Sequence, residues 1–136
     1  MEKSFGEYID QKRRGRGPGG ADILLKDIAN AMGVTATYFS DIVKGRRNPP
    51  EIAMIEEIAK KLDLNMIERE ELLDLAGRAR DGVAPDLPGY IMDEDIPHVR
   101  IALRKASNKK LGNDFWQNIT KQIEEAVNDP NAPADS

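Results

Sequence analysis

Apolar residues recur every three or four positions along most of this 136-residue chain, with polar residues between them. That spacing is typical of amphipathic helices, and no segment alternates for long enough to predict a strand. Five helices are expected in residues 1–80. Beyond residue 88 we expect a short segment at Tyr90 and Ile91 and two further helices. The sequence therefore predicts an all-α fold.

Residues that can cap a helix mark where several of these helices begin. A side-chain oxygen at the N-cap accepts a hydrogen bond from a free backbone N–H of the first turn. Such caps are predicted at Ser4 with Glu7, at Thr35, and at Asn65 with Glu68. Asn48 is expected to cap the fourth helix, because Pro49 and Pro50 are tolerated in a first turn.

Glycines interrupt the helical pattern in two places. The segment 15–20, Gly-Arg-Gly-Pro-Gly-Gly, is incompatible with an α-helix and predicts a flexible loop. Gly33 is expected to adopt the left-handed conformation of a tight turn between the second and third helices. Gly45 is expected to end the third helix.

The apolar stripes of the second to fifth helices predict the buried core. Its expected members are Ile28, Met32, Val34, Phe39, Ile42, Ile52, Ile55, Ile58, Ala59, Leu62, Ile67, Leu72, Leu73 and Ala76.

Composition divides the chain into four parts. We expect a helical domain over residues 1–80 and a linker rich in Pro, Gly and Asp over 81–88. A helical unit is expected over 89–128 and a disordered tail over 129–136.

The composition also excludes several kinds of site. Cysteine is absent and histidine occurs once, at His98, which excludes disulfides and thiolate ligands and leaves little for acid–base chemistry. We therefore expect neither catalysis nor a metal or other cofactor. No apolar run approaches 18 residues, and no leader-like segment opens the chain, so a cytoplasmic protein without a membrane span is expected.

Positive charge is concentrated in one part of an acidic protein. The net charge is −4, but residues 12–47 contain eight Lys and Arg against three Asp. Phosphates respond to this local potential rather than to the sum over the chain. Alone, a basic stretch is commonly a solvated face, so a binding role requires a motif in the same window.

The window Leu25–Lys44, LKDIANAMGVTATYFSDIVK, contains such a motif: a helix, a glycine break, a cap and a second helix. Ala29 is small enough for the two helices to cross closely. The sequence here resembles the Cro/lambda-repressor-like (XRE-type) helix-turn-helix regulators. The resemblance is carried by Ile28-Ala29, Gly33-Val34, Thr35, Tyr38-Phe39-Ser40-Asp41 and Gly45-Arg46-Arg47-Asn48-Pro49-Pro50. It implies a five-helix domain over residues 1–80 that binds double-stranded DNA as a homodimer, usually as a repressor.

The resemblance also implies roles for single residues. The positions expected to read base edges are Thr35, Ala36, Thr37, Ser40 and Asp41, and those expected to hold phosphates are Tyr38, Lys44, Arg46, Arg47 and Asn48. Small hydrogen-bonding side chains on an exposed helix suit the major groove. Asp41 has two interpretations, since its carboxylate can accept from cytosine or orient an arginine.

The chain departs from the family pattern before the second helix. The loop there is longer than usual, and Leu24 replaces the usual capping Ser or Thr, so Asp22 is expected to cap an extended helix instead. Leu25 replaces a polar phosphate contact, for which Lys26 or the loop arginines can substitute. The basic residues Arg13, Arg14 and Arg16 form either a mobile arm that reaches DNA or an inert loop.

The C-terminal unit is short for independent folding, and its apolar residues must be covered. We expect Leu103, Trp116, Ile119 and Ile123 to form a homodimer interface, with packing onto the first domain as the alternative. The unit resembles, weakly, the C-terminal parts of repressors inactivated by a partner metallopeptidase. A second interpretation is an antitoxin that binds a toxin through these helices and represses its own operon.

Overall fold

The computed structural model describes residues 2–127, and within them it contains eight α-helices and no strand. The helices are α1 Phe5–Arg13, α2 Leu25–Met32, α3 Ala36–Val43, α4 Ile52–Lys61, α5 Met66–Ala79, α6 Leu87–Ile91, α7 Pro97–Asn108 and α8 Asn113–Glu125. A 3₁₀ turn, Pro18–Gly20, lies between α1 and α2. The all-α prediction is confirmed, whereas the predicted tail 129–136 lies outside the described residues.

The chain divides into two compact units, residues 1–88 and residues 89–136. The boundary falls within the short helix α6. The first unit contains α1–α5, and the second contains α7 and α8.

Local capping interactions begin three of the helices as predicted. Capping boxes join Ser4 to Glu7 and Asn65 to Glu68, and in each box the side chain of one residue accepts from the backbone N–H of the other. At α3 the Thr35 hydroxyl accepts from the Tyr38 N–H at 3.1 Å.

Two predicted caps are wrong. The fourth helix begins at Ile52 with Glu51 as its N-cap, rather than at Asn48. With Asn48 as the cap, Pro49 would be the first helical residue, and Pro50 disfavours helical backbone in the residue before it. The N-cap of α2 is Leu24, and the expected cap Asp22 instead accepts from the Gly15 N–H at 3.0 Å.

The core of the first unit is formed by all five of its helices. Its fully buried large side chains are Ile9, Ile28, Phe39, Ile42, Ile55, Ile58, Leu62, Leu72 and Leu73. The first helix adds Phe5 and Tyr8 to this core, and neither residue was among its expected members. Ile67 was expected in the core but is 68% exposed, and Ile52 is 37% exposed. At 100° per residue, Ile67 lies on the opposite side of α5 from Leu72, Leu73 and Ala76.

Helix α3 packs against α1 and α2. Helix α2 also packs against α4, and α5 packs against α1 and α4. The contact between α1 and α3 is unusually close, because a methyl group at Gly6 would lie 1.8 Å from the carbonyl oxygen of Val43. Only glycine allows this approach.

Part of the predicted linker belongs to the first unit. Ala84 is buried in the core cluster. It packs against Gly77 of α5, where a Cβ would lie 2.4 Å from the backbone nitrogen of Ala84. Residues 81–88 are therefore not wholly a linker.

Apolar side chains of the second unit are largely exposed. Of its described residues only Ala106 is buried. Phe115 and Trp116 meet edge to face with ring centroids 5.2 Å apart. The described part of this unit has little interior of its own.

Candidate nucleic-acid interface

Helix α3 is held by its buried side. Phe39 and Ile42 point into the core of the first unit, and the backbone of α1 lies against the end of α3 at Gly6. Gly33 adopts the left-handed conformation predicted for it, with φ of 76°, and turns the chain from α2 toward Thr35. These contacts fix the side of α3 that remains exposed.

The exposed side of α3 begins at its N-terminus. Thr35, Ala36 and Thr37 are exposed, and Ser40 and Asp41 are half-buried. The Thr35 hydroxyl oxygen accepts the cap hydrogen bond, and its O–H can still donate. The five residues expected to read bases therefore all have solvent access, as a groove contact requires.

The turn after α3 folds back onto the helix. The backbone N–H groups of Arg46 and Arg47 donate to the carbonyl oxygen of Asp41 at 2.8 and 3.3 Å. Gly45 permits the turn through its positive φ of 80°. Both arginines are thereby placed beside the last turn of α3.

The side chains of this turn form a charged cluster around Asp41. Its carboxylate oxygens lie 3.6 Å from Arg46 Nη1 and 3.8 Å from Arg47 Nε. The Arg47 guanidinium also lies over the Tyr38 ring, 4.9 Å from its centroid. Because Arg46 and Arg47 are 69% and 56% exposed, both cations remain accessible to an external anion.

The other predicted phosphate contacts occupy exposed positions. Lys44 and Asn48 are exposed on either side of the arginine pair along the chain. Lys26 is exposed in the first turn of α2.

Arg80 belongs to the same region, although no motif in the sequence points to it. Its guanidinium donates to the carbonyl oxygen of Pro49. Together with Tyr38, Arg47 and Asn48 it lines a surface groove of about 440 Å³. The contact joins residues 31 positions apart, so no local pattern could have predicted it.

Two of the three arginines proposed as a mobile arm contact the protein itself. Arg13 binds Asp10 at 2.8 Å and the carbonyl oxygen of Ile23 at 3.3 Å. Arg16 binds the carbonyl oxygen of Leu62 at 3.1 Å and Glu68 at 2.7 Å. Of the two interpretations, these contacts favour the inert loop for Arg13 and Arg16, whereas Arg14 is exposed.

Glu68 anchors this loop through a strongly acidic carboxyl group. Hydrogen bonds from Arg16 and then Lys12 lower the pKa of Glu68 from 4.5 to about 2. The nearby Tyr8 hydroxyl donates to the Glu68 carbonyl oxygen at 3.3 Å, and burial raises its pKa. The loop is thus fixed to α5 by charge-assisted bonds.

The residues expected to form a dimer interface are accessible. Leu103 is 39% exposed and Ile123 is 69% exposed. Trp116 and Ile119 are half-buried and line an apolar groove of about 410 Å³ together with Ala106 and Leu111. The groove thus contains two of the four predicted residues.

Residues 2–127 contain no group of three or more His, Cys, Asp or Glu placed to hold a metal ion. No described helix is long and apolar enough to cross a bilayer. His98 is exposed.

Comparisons with known proteins identify no relative of this chain. No protein-family model matches the chain, and no curated protein or solved structure is significantly similar to it. The function must therefore be argued from the residues and their geometry.

Proposed function

We propose that α1–α5 form a lambda-repressor-like helix-turn-helix domain and that the protein is a sequence-specific DNA-binding regulator. The observation that carries the proposal is the exposed N-terminal side of α3 next to the accessible pair Arg46 and Arg47. In this arrangement α2 supports α3, and α3 lies in the major groove.

The exposed residues of α3 suit base reading. The Ala36 methyl group can contact a thymine methyl, and the hydroxyl groups of Thr37 and Ser40 can donate to or accept from base edges. The Thr37 side chain is exposed, so its hydroxyl is accessible to a base. A substitution at Thr37 is expected to change preference at one position of the binding site.

The cations after α3 suit the phosphate backbone. Phosphate contacts set the register of a protein on DNA but do not read its sequence. Arg46, Arg47 and Lys44 follow α3 directly, and the Tyr38 ring supports the Arg47 guanidinium. Their role in this proposal is to hold α3 in the groove.

A selection experiment at controlled salt tests the proposal. Sites bound from a random DNA library should share a half-site, and the double variant Arg46→Ala, Arg47→Ala should weaken binding to all duplexes. Each phosphate contact contributes a slope of about 0.9 to the dependence of log K on log salt, so the slope should fall by about 2.

The matched control removes the same charge elsewhere in the unit. Lys60→Ala, Lys61→Ala deletes two exposed lysines at the end of α4 and should leave most of the salt slope unchanged. If the wild-type protein binds no duplex at low salt, or the two double variants behave alike, the proposal is wrong.

We further propose that the C-terminal unit mediates homodimerisation, which would pair two α3 helices on a two-fold operator. The supporting observations are the exposure of Leu103 and Ile123 and the apolar groove lined by Trp116 and Ile119. Ile119→Glu should dissociate the dimer in light scattering. Gln117→Glu adds the same charge at an exposed polar position of α8 and should not.

The same exposed apolar residues favour a second candidate function, an antitoxin with a toxin as its protein partner. A metallopeptidase is another partner class that fits the resemblance. A monomeric wild-type protein that forms a defined complex with the product of a neighbouring gene would favour this candidate over the homodimer.

A further inference from the structure

Asp41 is the one acidic residue between Thr35 and Asn48, and it lies at the centre of the cations expected to bind phosphate. Its backbone carbonyl oxygen accepts from both Arg46 and Arg47, and its carboxylate faces both guanidinium groups. No other described carboxylate forms an ion pair with either arginine. In the free protein, the Asp41 carboxylate therefore lies beside the two guanidinium groups, in the position proposed for a DNA phosphate.

The contacts of the Asp41 carboxylate are close enough to orient the arginines but not to hold them tightly. Charge-assisted N–H···O bonds are about 2.7–2.9 Å long, whereas these two ion pairs measure 3.6 and 3.8 Å. Ion pairs between exposed groups contribute little free energy. A DNA phosphate can therefore replace the carboxylate as the partner of either guanidinium.

Replacement leaves the Asp41 charge beside the phosphate backbone. The carboxylate is 29% exposed, so it repels the phosphates that approach the two arginines. This repulsion is independent of DNA sequence because every duplex has the same backbone. The carboxylate lowers the affinity of the interface for all DNA, and only base contacts along α3 can compensate for the loss.

We propose that Asp41 acts as an internal competitor for DNA phosphate. It positions Arg46 and Arg47 in the free protein and lowers the affinity for every duplex by the same factor, so that only duplexes that also make base contacts with α3 are bound tightly. The inference rests on the proposed function and extends it, because it adopts the arginine-orienting interpretation of Asp41 and assigns the control of overall DNA affinity to a carboxylate that makes no base contact.

Asp41→Asn tests the inference, because the amide keeps the backbone hydrogen bonds and removes the charge. The variant should bind a random-sequence duplex about three to ten times more tightly than wild type, with a steeper salt dependence. Its affinity for the selected site should rise by a similar factor, because the repulsion is the same for every duplex. Its thermal stability should stay close to that of wild type.

Asp63→Asn is the matched control. Asp63 is exposed in the turn after α4, where its positive φ of 52° is one that asparagine tolerates. The control makes the same change in net charge and should alter non-specific affinity less than about twofold.

The outcomes separate this inference from the proposed function. If wild type binds duplex DNA and the Asp41 and Asp63 variants have the same affinity and salt slope, Asp41 is no competitor, and the DNA-binding proposal survives. If wild type binds no duplex, both proposals fail. In the free protein, the Arg47 Nε–H signal in NMR should shift on Asp41→Asn and not on Asp63→Asn, and an unshifted signal would contradict the positioning role.

Discussion

Glu68 provides a test of how the glycine-rich loop is attached to the helical core. It is the third residue of α5, where it completes the capping box with Asn65. The same carboxylate binds Arg16 at 2.7 Å and Lys12 at 2.9 Å. Glu68→Gln keeps an acceptor for the capping box, which tolerates Gln, and removes the negative charge. The variant therefore isolates the two ion pairs.

The pKa of Glu68 sets the size of the expected effect. A decrease from 4.5 to about 2 corresponds to at most about 3 kcal/mol of stability. Solvent screens part of this interaction, because the Lys12 and Arg16 side chains are 21% and 31% exposed. We expect Glu68→Gln to lower the free energy of unfolding by about 1–2 kcal/mol, and Tm by about 5–15 °C.

The direction of the Glu68 pKa shift determines the pH range in which the carboxylate stabilises the fold. A carboxyl group whose pKa is lower in the folded than in the unfolded state stabilises the fold above the unfolded value, near 4.5. That contribution is lost as pH falls toward about 2. The stability gap between wild type and Glu68→Gln should therefore be full above about pH 5.5 and close between pH 4.5 and 2.

Urea unfolding followed by circular dichroism at pH 7, 4 and 2.5 measures this gap. Glu57→Gln is the control, because Glu57 is 44% exposed and meets Lys60 at 3.5 Å in a pair that solvent screens. Its effect should be below about 0.5 kcal/mol at every pH. A gap for Glu68→Gln that stays constant down to pH 2.5 would refute the reasoning.

Two further predictions concern how α3 is positioned. Gly6→Ala should destabilise the protein by about 1–3 kcal/mol, since its methyl group would overlap the Val43 carbonyl oxygen, although alanine favours helices. A more stable variant in thermal unfolding would contradict the close contact. Thr35→Ala should cost about 1 kcal/mol through loss of the cap to the Tyr38 N–H, whereas Thr37→Ala should change stability by less than about 0.5 kcal/mol. Equal unfolding midpoints for the two threonine variants would exclude the capping role.

Features determined by neighbouring residues could be predicted from the sequence. The capping boxes at Ser4 and Asn65 and the left-handed Gly33 depend on interactions within about five residues, and all three are confirmed. The buried residues Phe39 and Ile42 follow from helical periodicity. Because Phe39 and Ile42 define the buried side of α3, the exposed positions on its other side could be predicted as well.

Features that depend on contacts between distant segments could not be predicted in this way. Gly6 looked like an ordinary helical residue, and its importance is apparent only once α1 lies against Val43. Arg16 and Glu68 are 52 residues apart, so the attachment of the loop to α5 could not be predicted from the loop's own composition. The start of α4 was predicted too early because the restriction that Pro50 places on the backbone of Pro49 was not applied.

The anchoring of the loop before α2 affects how its length can change. Arg16 binds Glu68 and so attaches the loop to α5. The Gly17 N–H donates to the Ala21 carbonyl oxygen at 2.7 Å, which joins the two ends of the segment 17–21. Pro18–Gly20 lies between these two joined ends and is exposed. Residues added at Pro18–Gly20 would therefore lengthen only this segment and leave the direction of α2 unchanged. Pro18–Gly20 is accordingly a suitable attachment point for a fluorescent label or an affinity peptide.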